Sequence, residues 1–140
     1  MTLTLIFTLG EDVYGLEINA IQEIAEDPPL HYVPRAEGVL TGAINFHGQI
    51  LAVINLPELL GFENVELDHR RIVLTSEFKS LALTVCSIEK IVKLDLSELQ
   101  PAPEKTRNKA IRGVANLDDM IVNLLDTDEV INQLENKYSE

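Results

Sequence analysis

The residues of this chain with chemical potential are three histidines, one cysteine, a pair of adjacent aspartates and a short basic run. His31, His47 and His69 form no His-x-x-x-His pair, so the helical spacing of a zinc hydrolase site is missing. Cys86 is the sole cysteine, which rules out an intrachain disulfide and a thiolate metal cage. It lies in the apolar run "LALTVCSI", where a buried, inert thiol is expected. Asp118 and Asp119 read as a hairpin tip, because neighbouring turn residues point apart and do not converge on a reacting atom. The chain has no Gly-rich phosphate loop and no Gly-x-Ser-x-Gly elbow. No catalysis, metal or cofactor is expected of such a set.

Charge narrows the partners. Eleven basic against twenty-three acidic residues leave a net charge of −12, which repels phosphate backbones and anionic membranes. Tyr14, Tyr32 and Tyr138 are scattered and make no stacking platform for single strands. Lys105, Arg107, Lys109 and Arg112 cluster in "KTRNKAIR" and read as a solvated loop with a local cationic spot. Neither nucleic-acid binding nor membrane insertion is expected. The N-terminus alternates Leu3, Leu5, Phe7 and Leu9 with other residues, as a strand does, and lacks the basic start of a leader. A cytoplasmic protein is expected.

The elements that must position these residues are short strands. With 46% hydrophobic and 24% charged residues the chain is of globular composition. Strand signals fall at 2–9, 13–18, 42–46, 49–55, 70–76, 81–85, 110–116 and 120–125. Turns suited to hairpins follow Leu9, sit at His47-Gly48 and at 117–119, and occupy "EFKS" at 77–80. Ile18, Ile21 and Ile24 in "INAIQEI" have the spacing of a helix of about two turns. "NLPELLG" gives a second short helix, with Asn55 as cap, Pro57 in the first turn and Gly61 as stop. Residues 126–138 give the longest, with Val130, Ile131 and Leu134 as its apolar side.

The second half echoes the first. Aligning Gly42 with Gly113 brings Asn45 onto Asn116, Ile50 onto Ile121, Val53 onto Leu124 and Asn55 onto Asp126. Upstream, at a slightly smaller offset, Leu16 meets Leu83, Ile18 meets Val85, Ile21 meets Ile88 and Ile24 meets Ile91. A proline-containing connector follows in each copy. The repeat cores run from about 14 to 61 and from 81 to 131, and two copies imply two similar small barrels packed together.

"GVLTGAINFHGQILAVINLPELLGF" (38–62) resembles the signature of the CheW-like domain, and flanking pieces extend the resemblance over about residues 3 to 135. The resemblance implies an all-β fold of two intertwined five-stranded SH3-like barrels with short helices and a C-terminal helix. The whole of 1–140 is then one domain, with some strands crossing between barrels. It further implies a non-catalytic adaptor that couples chemoreceptors to a histidine kinase of the CheA type. Its partners would be the kinase's regulatory domain, which has the same fold, and the cytoplasmic tip of a methyl-accepting receptor. Matched to the family's motif, Ile21, Glu23, Gly42, Asn45, His47 and Gly48 would lie on or near these binding surfaces. Three positions depart from the family: His47 stands where an arginine is usual, Ala52 where a proline is, and Val85-Cys86-Ser87-Ile88 lacks the usual acid. A stand-alone interaction module, or a small-ligand sensor with a pocket at the seam between barrels, is the alternative.

Overall fold

The computed structural model describes residues 1–34, 38–75, 77, 80–103 and 108–138. Ten strands alternate with brief helical turns: β1 (Thr2–Leu9), β2 (Asp12–Glu17), β3 (Ile21–Ala25), β4 (Leu40–Phe46), β5 (Gln49–Asn55), β6 (Arg71–Leu74), β7 (Leu81–Thr84), β8 (Ser87–Leu94), β9 (Ile111–Leu117) and β10 (Met120–Leu125). Helix α1 (Leu56–Leu59) follows β5, and α2 (Thr127–Tyr138) follows β10. The strands form two five-stranded sheets in the orders β8-β1-β2-β10-β9 and β3-β6-β7-β5-β4. The first sheet joins β1 and β2 to β8–β10 from the other end of the chain, and the second holds the five strands between them, so each sheet takes strands from both halves. This is the two-sheet, mostly β architecture the sequence implies.

Side-chain alternation divides the apolar residues among three cores. Leu5, Phe7 and Leu9 of β1 face a large seam between the sheets, where they meet Ile72, Leu74, Leu81 and Leu83. Ile6 faces the other way, into a smaller core with Leu94 and Val122. Ile44, Phe46, Leu51, Val53, Val73 and Ala82 fill the corresponding interior of the second sheet. A strand buried on both faces needs a continuous apolar run, and "LIF" (5–7) and "LAL" (81–83) supply it, each beside a buried threonine, Thr4 and Thr84.

The expected helix at 18–24 is not there. Ile18–Ala20 makes a single 3-10 turn, and Ile21 begins β3. The misleading feature is a bulge: Ile21 pairs with Leu74 but Glu23 with Val73, leaving Gln22 as an extra residue. A bulge turns the two-residue period of a strand into three locally, so Ile21 and Ile24 share a face, as they would on a helix. β8 repeats the device. Phe7 pairs with Ile88 and Ile6 with Lys90, which leaves Glu89 extra and brings Ile88 and Ile91 to one face.

The pairing registers also carry the echo of the halves. Asn123 pairs in parallel with Tyr14, and Ala52 in parallel with Leu81, at equivalent places in the two sheets. Bulges at Thr41 and Arg112 correspond as well. So do the bridges His31 to Ala43 and Gln100 to Val114, which lay each proline connector across its hairpin. The Asn55 amide donates to the Val39 carbonyl and the Asp126 amide to that of Ala110, each at 2.7 Å. Asn55 Oδ1 caps α1 by accepting from the Glu58 amide at 3.1 Å, and Asp126 Oδ1 accepts from that of Glu129 at 3.3 Å.

Candidate interaction site

The signature hairpin is built around its turn. His47 (φ 50°) and Gly48 (φ 83°) are both left-handed, as the two-residue turn that matches strand twist requires. Glycine meets that demand without cost, whereas His47 is held there by its surroundings. Asn45 Oδ1 accepts from the Gly48 amide at 3.0 Å and closes the turn. The buried Phe46 ring anchors the strand end, with the imidazole edge-on to it at 4.3 Å between centroids.

Glu23 reaches this tip from β3, which lies at the opposite edge of the same sheet from β4. Its Oε1 is 3.6 Å from His47 Nε2. The two side chains are 50% and 73% exposed, so water screens the pair even when the imidazole is protonated. Glu23, Asn45, His47 and Gly48 thus share one exposed tip. Ile21 does not join them: it packs half-buried against the seam. Gly42 is buried beneath the connector, where a Cβ would lie 2.7 Å from the His31 carbonyl oxygen. It seats the connector instead of presenting a side of its own. Gly113 plays the same part in the second half, beneath the Gln100 carbonyl.

The strongest polar cluster went unread in the sequence. Asp68, only 6% exposed at its side chain, accepts from the Arg70 amide (2.9 Å), Arg70 Nε (3.0 Å), Arg70 Nη2 (2.8 Å) and the Ile88 amide (2.9 Å). The Arg70 side-chain hydrogen bonds, above all, hold its carboxyl well below the usual carboxylate range against the cost of burial. The same bonds raise the Arg70 guanidinium further above its ordinary value. Arg70 Nη2 also donates to the Ile88 carbonyl at 3.1 Å. The cluster ties the start of β6 to the start of β8 across the seam. Its only trace in the sequence is the charged run "DHRR" (68–71), which does not reveal a partner twenty residues on.

Other expectations resolve variously. Cys86 is half-buried rather than buried, and its Sγ accepts from the Gly10 amide at 3.2 Å. Of the basic run, Lys105 and Arg107 lie outside the described residues, as do Phe78 and Lys79 of the 77–80 turn. Arg112 Nη1 pairs with Glu17 Oε2 at 3.0 Å, which offsets its charge. Asp118 and Asp119 form a left-handed turn like that of His47-Gly48. Among the described residues no three His, Cys, Asp or Glu side chains gather as a metal site. No described helix is long and apolar enough to cross a membrane.

The family model for the CheW-like domain matches residues 3–135. The chain belongs to that family. Its relatives include the chemotaxis protein CheW of Klebsiella aerogenes, 25% identical over 136 residues, covering 94% of this chain and 82% of the relative. The chemotaxis protein CheW of Rhizobium meliloti is 25% identical over 129 residues, covering 89% and 83%. The crystal structure of the scaffolding protein TtCheW from Thermoanaerobacter tengcongensis superposes with a TM-score of 0.79 at 25% identity, covering 89% of this chain and 88% of that one. CheW-like proteins of this kind are non-catalytic scaffolds, and the chain is read as one.

Proposed function

We propose that this CheW-like chain is a cytoplasmic, non-catalytic adaptor coupling chemoreceptors to a CheA-type histidine kinase. The observation that carries the reading is the match to the family over residues 3–135. The chain acts as one domain made of two pseudo-repeated halves, and an adaptor of that form has two barrel ends to offer. The kinase's regulatory domain, of like fold, docks barrel to barrel, and the receptor contributes its cytoplasmic tip. Glu23, Asn45, His47 and Gly48 lie on this binding surface, Gly42 supports it from beneath, and Ile21 supplies apolar area at the adjoining seam.

Calorimetric titration of the chain with the regulatory domain of its host's kinase, and separately with a receptor-tip fragment, tests the proposal. Saturable binding of both is expected. Glu23→Lys combined with His47→Glu should weaken one of the two at least several-fold with the fold intact. Failure of both fragments to bind the wild-type chain overturns the proposal.

A further inference from the structure

β8 lies at the outer edge of the first sheet, with β1 as its strand neighbour on one side only. A strand in that position carries a row of backbone N–H and C=O groups with no ladder to join, and such rows recruit strands from other molecules. Successive residues of a strand turn these groups alternately to its two sides. At Ile88 they turn outward, and a side-chain pair meets both. The Ile88 amide donates to Asp68 Oδ2 at 2.9 Å, and Arg70 Nη2 donates to the Ile88 carbonyl at 3.1 Å. Asp68 and Arg70 are themselves joined at 2.8 Å. Together they give Ile88 the acceptor and the donor that a neighbouring strand would give. Past the bulge at Glu89, no strand and no side chain among the described residues bonds the backbone of β8 on that side.

This edge has the means to pair with itself. It is eight residues long, and Ile91, 57% exposed, lies diagonal across the ladder to Leu3, 48% exposed. Two copies of a chain with net charge −12 repel each other, but β8 sets Glu89 against Lys90 and Lys93, so that repulsion is missing here.

The duplicated frame supplies a comparison. β3 is the matching edge of the second sheet, with Ile21 at the place of Ile88 and Ile24 at that of Ile91. No side chain among the described residues bonds the Ile21 backbone. β3 has only five residues, exposes Gln22 and Glu23, and keeps Ile24 half-buried. A short edge with an exposed acid, in an acidic chain, is protected by length and charge. β8 has neither protection, and β8 is the edge with the clip.

We propose that the Asp68–Arg70 pair is an edge guard that keeps β8 from adding the β8 strand of a second copy of the chain. A neighbouring strand runs about 4.8 Å away, in the space these two side chains fill beside Ile88. The guard is separate from the His47 tip, and its action does not depend on the coupling function.

Sedimentation velocity at roughly 100 µM tests the guard, within the concentration range where exposed strand edges associate. Wild type should sediment as a monomer. Asp68→Ala should form dimers and larger species. Arg70→Gln frees the Ile88 carbonyl but leaves its amide bonded, and should associate to a lesser degree. Val53→Ala weakens a core away from this edge and should stay monomeric, which separates lost guarding from lost stability. Adding Ile91→Lys to Asp68→Ala should restore the monomer, because a charge on the edge repels its own copy. Should Asp68→Ala not fold, Arg70→Gln carries the same comparisons. Wild type or Val53→Ala associating as strongly as the guard variants would overturn the proposal. So would guard variants that stay monomeric, or association that Ile91→Lys leaves unchanged.

Discussion

Asp68 shows how much one carboxylate can tie together, since its four donors span the β6 start and the β8 start. Its folded-state proton affinity is lowered, so the stability it contributes is complete above the ordinary carboxylate range and is lost as pH falls through and below it. Asp68→Asn should cost about 1.5–3 kcal/mol at neutral pH, the range for hydrogen bonds to a charged group. Urea titrations should show the gap between wild type and variant narrowing as pH drops from about 7 to about 3. A gap that stays constant would remove the charge from the explanation. His47 gives a second residue-scale prediction. His47→Arg puts a permanent cation with a five-donor fork opposite Glu23, so binding through this tip should strengthen in the variant. With both side chains exposed the pair is worth roughly 0.2–1 kcal/mol, a few-fold in affinity at most. Calorimetric titration of both proteins with the kinase's regulatory domain should show that gain; equal affinities would leave His47 as a turn residue only.

The elements divide into those that local sequence determines and those that distant pairing determines. β1, β5 and β10 begin and end where alternation and turn residues place them, because a strand bounded by a tight turn carries its signals within itself. β3 and β8 do not. Their bulges at Gln22 and Glu89 exist only against β6 and β1, and without those partners the three-residue spacing of isoleucines is the spacing of a helix. For the same reason the placing of Glu23 and His47 together was legible only through the resemblance, whereas the Asp68 cluster was not legible at all. The equivalence of the halves makes its own prediction. Val53 and Leu124 are both fully buried at matching positions. Truncating either to Ala should cost about 2–3 kcal/mol in chemical denaturation. A cost below about 1 kcal/mol for one of them would show that the two interiors are not packed alike.

For the whole molecule, neither half owns a barrel, since β2 of the first half pairs with β10 in the first sheet and β7 of the second half pairs with β5 in the second. The shared seam of Leu5, Phe7, Ile72 and Leu83 packs the two sheets into one close-packed core. The two hairpin turns differ in charge: one carries the Glu23–His47 pair, the other Asp118 and Asp119. A molecule with two unlike ends on one rigid frame suits a bridge between two different partners. Bridging is thus the property to measure. Receptor-bearing membranes and the CheA-type kinase of the host should be sedimented together with and without the chain, and the kinase in the pellet quantified. Coupling predicts that kinase accumulates in the pellet in proportion to added chain, and that the chain sediments with it. Kinase that pellets equally in its absence, with the chain left in the supernatant, would contradict the adaptor function.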